Sequence, residues 1–107
     1  MDLRQYEIVL VNLDPTVGSE IKKTRPCVII SPDEINRHLR TVTIVPMTSK
    51  SHPYPTGIKV RHGNQIGWIV IDQLRTIDKI RVIKKLGVLN ENEVLNCKKI
   101  IKETFVD

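Results

Sequence analysis

The chain has 107 residues, which suits a single domain over 1–107 and leaves little room for a deep substrate cavity, because a chain this size buries about two thirds of its surface. Hydrophobic residues at 40% and charged residues at 27% exclude disordered, collagen-like and coiled-coil chains, and no apolar run approaches the ~18–20 residues of a membrane span. Lys and Arg (17) outnumber Asp and Glu (12), and the net charge of +5 favours polyanions through counterion release without specifying a sequence or a reaction.

The polar start, Met1-Asp2-Leu3-Arg4-Gln5, is not a signal peptide, so the expected compartment is the cytoplasm. Residues 6–12 (YEIVLVN) read as a first strand, rich in β-branched and aliphatic residues. Residues 13–24 carry Asp-Pro and Gly-Ser turn signals and two lysines, which predicts a long surface loop. A second strand is expected over 25–31 (RPCVIIS). Ser31-Pro32-Asp33-Glu34 then spells a helix start, with Ser31 as cap, Pro32 in the first turn and Glu34 completing a capping box. That helix is short and ends before a third strand over 41–47 (TVTIVPM). A second irregular loop covers 49–56, with prolines at 53 and 55.

Two further strands, 57–61 and 67–71 (GWIVI), flank a polar turn at 62–64, and a last strand is expected over 80–86. Asn90 and Glu93 then open a C-terminal helix as cap and third-position partner. Its apolar face, Val94, Cys97, Ile101 and Phe105, should pack on the sheet. Short strands at close spacing with one short and one terminal helix predict a small, partly closed antiparallel barrel rather than a βαβ fold. Cys27 and Cys97 belong to no CxxC, and His38, His52 and His62 show no metal-binding spacing, so two packed thiols and no metal site are expected. Lys84-Lys85 and Lys98-Lys99 read as solvated faces, and Asp14 and Asp78 as structural.

If the second and third strands are antiparallel neighbours, residues opposite each other have numbers of constant sum. A sum of 72 sets Arg25 against Met47, and a sum of 73 sets it against Thr48. The long connection fixes neither, and a one-residue slip swaps faces. Either way Arg25 and Thr48 share one end of the sheet, bordered by both irregular loops. Pro26 holds Arg25 extended at a strand mouth, and Pro46 restricts the chain before Thr48. A guanidinium supplies a planar fork of charged donors and a threonine one more, a pairing suited to a phosphate. Lys22, Lys23, Lys50 and His52 on the loops would add positive potential. Asp72 and Gln73 are candidates for reading a base edge or for capping a turn. Tyr54, beside two prolines, is the better stacking candidate, whereas Trp68 in a strand of aliphatics reads as core or dimer interface.

Several segments together resemble the MazF/PemK family of toxins from bacterial toxin–antitoxin pairs: residues 7–16 (EIVLVNLDPT), 18–20 (GSE), 23–32 (KTRPCVIISP), 45–49 (VPMTS), 54–56 (YPT) and 71–78 (IDQLRTID). The resemblance implies an SH3-like (CcdB/PemK-type) antiparallel barrel with a C-terminal helix that forms a homodimer. It implies a metal-independent, sequence-specific endoribonuclease that cuts single-stranded messenger RNA, with no cofactor, inhibited by a cognate antitoxin lying in the RNA groove. The family's catalytic arginine and threonine correspond to Arg25 and Thr48. One departure is Gln5-Tyr6-Glu7, where many members carry Arg-Gly-Asp/Glu, and it leaves the local turn in question.

In such chemistry the RNA 2′-OH attacks the adjacent phosphorus, giving 2′,3′-cyclic phosphate and 5′-OH ends. Arg25 would stabilise the phosphoryl charge and serve as acid to the leaving oxygen. A guanidinium keeps its proton to above pH ~12, so the base is unassigned, with His52 a candidate. Two other classes compete: a CcdB-like gyrase poison, whose Trp-Gly-Ile ending differs from Phe105-Val106-Asp107, and a barrel that binds RNA without cutting it.

Overall fold

The computed structural model describes residues 1–13, 24–49, 57–62 and 65–106. Among the described residues, seven strands form one antiparallel system: β1 (Glu7–Asn12), β2 (Thr24–Ile29), β3 (Thr41–Thr48), β4 (Gly57–His62), β5 (Gln65–Val70), β6 (Arg75–Asp78) and β7 (Val82–Val88). Their order is β4-β5-β3-β2-β1-β7, with β6 also paired to β3. The end strands β4 and β7 are not paired to each other, so the sheet is open where the sequence suggested partial closure.

Both faces of this sheet are apolar. Ile8, Val28, Val45, Met47, Ile69 and Ile71 pack with Leu89 and Cys97 on the side of the C-terminal helix α2 (Glu91–Ile101). Val9, Val11, Cys27, Ile29, Val42, Ile44, Ile77 and Val82 form a second cluster with Leu3. Burial on both faces explains why these strands read as unbroken aliphatic runs rather than alternating ones.

The helix ends differ in how far local signals govern them. Asn90 Oδ1 accepts from the Glu93 amide and Glu93 Oε1 from the Asn90 amide, both at 2.8 Å, which is the expected capping box of α2. At α1 (Asp33–His38) the expected box does not form, and Pro32 occupies the cap position without a side-chain hydrogen bond. Ser31 turns inward instead. Its hydroxyl donates to Asn36 Oδ1 at 2.5 Å and accepts from the Thr43 amide at 3.0 Å. Asn36 Nδ2 donates to Ser31 O (2.9 Å) and Leu3 O (3.3 Å), and Asn36 is 2% exposed. Burial of the Asn36 amide demands partners, and that demand outweighs local capping.

Two expectations near the C-terminus are corrected. The last strand begins at Val82 rather than residue 80, because Asp78 Oδ1 accepts from the Ile80 amide and caps a 3₁₀ turn over Lys79–Arg81. Phe105 is exposed rather than packed, because the helix widens into a π-helical turn over Lys102–Val106, which breaks the spacing that aligns it with Cys97 and Ile101. The turn before β1 closes through Glu7 N–H donating to Arg4 O at 3.2 Å, and Tyr6 takes a φ of 69°. Tyr6 thus adopts the left-handed backbone that a glycine would take freely, at a cost of about 1–2 kcal/mol.

Candidate active site

The β2–β3 ladder pairs Cys27 with Pro46, Val28 with Val45 and Ile29 with Ile44. All three pairs sum to 73, the second of the two registers the sequence allowed. The Ile30 amide donates to Thr43 O at 2.9 Å, continuing that register away from the site. Carried two residues the other way, it sets Arg25 opposite Thr48. On the far side of β2, Arg25 pairs with Val11 of β1, and on the far side of β3, Thr48 pairs with Trp68 of β5. Arg25 and Thr48 are both half-buried. Both border a cavity of about 410 Å³, otherwise lined by Ile8, Pro26, Met47, Ser49, Ile66, Gly67 and Leu86.

Asp72 and Gln73 reach the same neighbourhood through an irregularity. β3 pairs with β5 at Met47–Ile69 and with β6 at Ile44–Arg75, so two residues of β3 face five on the returning chain. The excess is taken up by a 3₁₀ turn over Ile71–Gln73, opposite Val45 and Pro46. Proline offers no amide to a ladder, so this is where the pairing can be interrupted at least cost. Ile71 points into the core, and Asp72 and Gln73 are exposed. Lys22, Lys23, Lys50, His52 and Tyr54 lie outside the described residues, as does Asp14.

The electrostatics add a residue that sequence reading left unassigned. Burial pushes the Cys27 thiol up to about 12, and the guanidiniums of Arg25 and Arg75 pull against that rise. Both cations are therefore within electrostatic reach of one thiol. Arg75 opposes Ile44 on β3, which opposes Ile29 on β2, so it shares the face of Ile29, Cys27 and Arg25. Neither guanidinium is ion-paired to a carboxylate among the described residues. Two cations on one face with no carboxylate partner among the described residues repel each other, and an anion between them would relieve that repulsion. The available signal was the RTID stretch, a four-residue strand whose alternation places Arg75 beside Ile77. Trp68, read as core or interface, is half-buried and belongs to neither apolar cluster.

A family described as the PemK-like, MazF-like toxin of type II toxin–antitoxin systems matches residues 4–105. The Escherichia coli endoribonuclease PemK is 48% identical over 48 residues, covering 45% of this chain and 36% of that protein. The endoribonuclease toxin MazF of Escherichia coli K12 is 32% identical over 71 residues, covering 66% of this chain and 64% of that protein. This chain thus spans less than two thirds of either relative. Among solved structures, MazF (Form-I) from Deinococcus radiodurans is similar with a TM-score of 0.84 at 19% identity, covering 100% of this chain and 99% of that one. The MazE–MazF structure (Form-II) from the same organism gives 0.85 at 21%, covering 96% and 95%. These structural likenesses are likenesses of fold, and they agree with the match along the sequence: the chain belongs to the PemK/MazF family of toxins from type II toxin–antitoxin systems.

Proposed function

We propose that this chain is a sequence-specific, metal-independent endoribonuclease that cuts single-stranded RNA, with messenger RNA as its target. The observation that supports this most is that Arg25 and Thr48, both half-buried, line one cavity at the end of the β2–β3 ladder, whose register if continued would set them opposite each other. Arg25 and Thr48 are the catalytic pair in this reading. The 2′-oxygen forms a bond to the neighbouring phosphorus and loses its proton to a base, while the P–O5′ bond breaks and the leaving oxygen takes a proton. The products are a 2′,3′-cyclic phosphate and a 5′-OH end. Because nucleophile and phosphorus sit on the same ribose, orientation does much of what an activated side chain does elsewhere. Arg25 and Thr48 hydrogen-bond the phosphoryl oxygens as charge builds, and Arg25 sits where it can protonate the departing oxygen.

Asp72 and Gln73, on the 3₁₀ turn beside Pro46, contact the RNA in this reading, together with the loop residues Lys22, Lys23, Lys50, His52 and Tyr54. The protein acts as a homodimer in the cytoplasm and is held inactive by a cognate antitoxin, for which the MazE–MazF neighbour offers the parallel. The test is incubation with mixed-sequence single-stranded RNA in EDTA, followed by sequencing and chemical typing of the ends. Cleavage to 5′-OH and cyclic phosphate ends supports the enzyme. Retention of RNA without cleavage would instead support a binding barrel.

A further inference from the structure

The row of opposed residues that begins at Arg25 continues beyond Thr48. Thr48 opposes Trp68 across β3 and β5, and Trp68 opposes Lys59 across β5 and β4. Directly opposed residues on antiparallel strands project from the same face, with Cβ atoms roughly 4.5–5.5 Å apart. Thr48, Trp68 and Lys59 therefore run side by side across the strands, and the β2–β3 register, carried two residues on, adds Arg25 to the row. The sequence alternates along this row as cation, hydroxyl, indole and cation. Lys59 is exposed, and the indole is half-buried and outside both apolar clusters.

An indole on β5, a strand paired on both sides, between the Arg25–Thr48 pair and an ammonium, is placed to receive a nucleobase. Every base has a π-face, so stacking stabilises single strands without choosing among sequences. A tryptophan that is only partly covered and joins neither apolar cluster keeps some of its ring open to a partner. We propose that Trp68 is the stacking platform for the base adjoining the phosphate gripped by Arg25 and Thr48, with Lys59 meeting the next phosphate along the strand. This proposal rests on the ribonuclease reading above and adds a binding residue to it. Trp68 touches the substrate without taking part in proton transfer, so its effect falls on affinity rather than on the chemical step.

Trp68 is the only tryptophan of the chain, so its emission reports on this position alone. The experiment titrates the full chain with a fluorescein-labelled single-stranded oligoribonucleotide that is 2′-O-methylated throughout and so cannot be cut. Label anisotropy is followed together with tryptophan emission. Emission is expected to be quenched in step with binding. Trp68→Leu should weaken binding about 5- to 150-fold across several unrelated sequences, and Trp68→Phe should recover much of it. An abasic substitution in the RNA next to the scissile position should weaken binding to the wild type and leave Trp68→Leu indifferent. On cleavable RNA, the Leu variant should raise KM far more than it lowers kcat.

Binding without any emission change, with Trp68→Leu as tight as wild type, overturns the proposal and leaves the ribonuclease reading intact. Emission that follows protein dilution but not RNA would assign Trp68 to a contact between copies, and also overturns it. Failure of the wild type to bind or cut any single-stranded RNA would remove the ribonuclease reading itself.

Discussion

Replacing Asn36 with alanine should destabilise the protein out of proportion to the size of the side chain. Asn36 is 2% exposed and makes three side-chain hydrogen bonds: to Leu3 O, to Ser31 O and from the Ser31 hydroxyl. At roughly 1 kcal/mol for each bond, with an added penalty for the buried groups left unpaired, the loss is about 3–5 kcal/mol. That is a large fraction of the ~5–15 kcal/mol that holds a typical domain together. Urea unfolding followed by Trp68 emission would read it, and with a slope near 1.5 kcal/mol per molar the midpoint should fall by about 2–3 M. The network also joins the end of β2 to β3, since the Ser31 hydroxyl accepts from the Thr43 amide. It therefore holds the register that sets Arg25 against Thr48. Ser31→Ala combined with Asn36→Ala should be less damaging than the sum of the two, by 1 kcal/mol or more, because they remove a shared bond. A midpoint shift below about 0.3 M for Asn36→Ala would refute this role.

Both cysteines are free and buried, and burial raises each thiol from the ordinary 9.0 to about 12. Neither should react with an aromatic disulfide at pH 8 until denaturant is added, when both should. A thiol whose folded pKa is raised contributes stability below pH 9 that is lost as pH climbs towards 12, so Cys97→Ala should flatten the alkaline fall in stability over that window. Arg75→Ala should leave the fold intact, weaken single-stranded RNA binding and lower the salt slope of log K by about 0.7, as expected for one lost phosphate contact; an unchanged slope in a salt titration would remove it from the interface. Gly67→Ala should be tolerated, since its Cβ would lie 3.5 Å from Met47 Cε and 3.6 Å from Thr48 O, and thermal unfolding should show a change under about 1 kcal/mol.

Local signals were most legible where the chain satisfies itself. The Asn90–Glu93 box needs only neighbours in sequence, and the aliphatic strands announce themselves by composition although their partners are remote. Ser31 shows the opposite case: its capping pattern is genuine, yet a buried amide five residues away and a strand amide twelve away claim the hydroxyl. β6 escaped notice because four residues are too few for periodicity to register, and its end is set by the Asp78 cap rather than by composition. Missing β6 hid Arg75, and Trp68, read as core or dimer interface from its aliphatic neighbours, is half-buried and in neither apolar cluster. The catalytic candidates were legible only up to the choice between two registers. That choice is made by tertiary hydrogen bonds at the far end of the β2–β3 connection, which no spacing rule contains.

The most direct test concerns whether Arg25 and Thr48 act as one unit on a single phosphodiester. Single-turnover cleavage of a defined oligoribonucleotide would be measured for wild type, Arg25→Ala, Thr48→Ala and the double variant, each checked for an unchanged unfolding midpoint. Each single change should slow cleavage by ~10²–10³, and the double variant should be less impaired than the product of the two. A folded Arg25→Ala or Thr48→Ala protein that cuts at the wild-type rate would contradict the assignment.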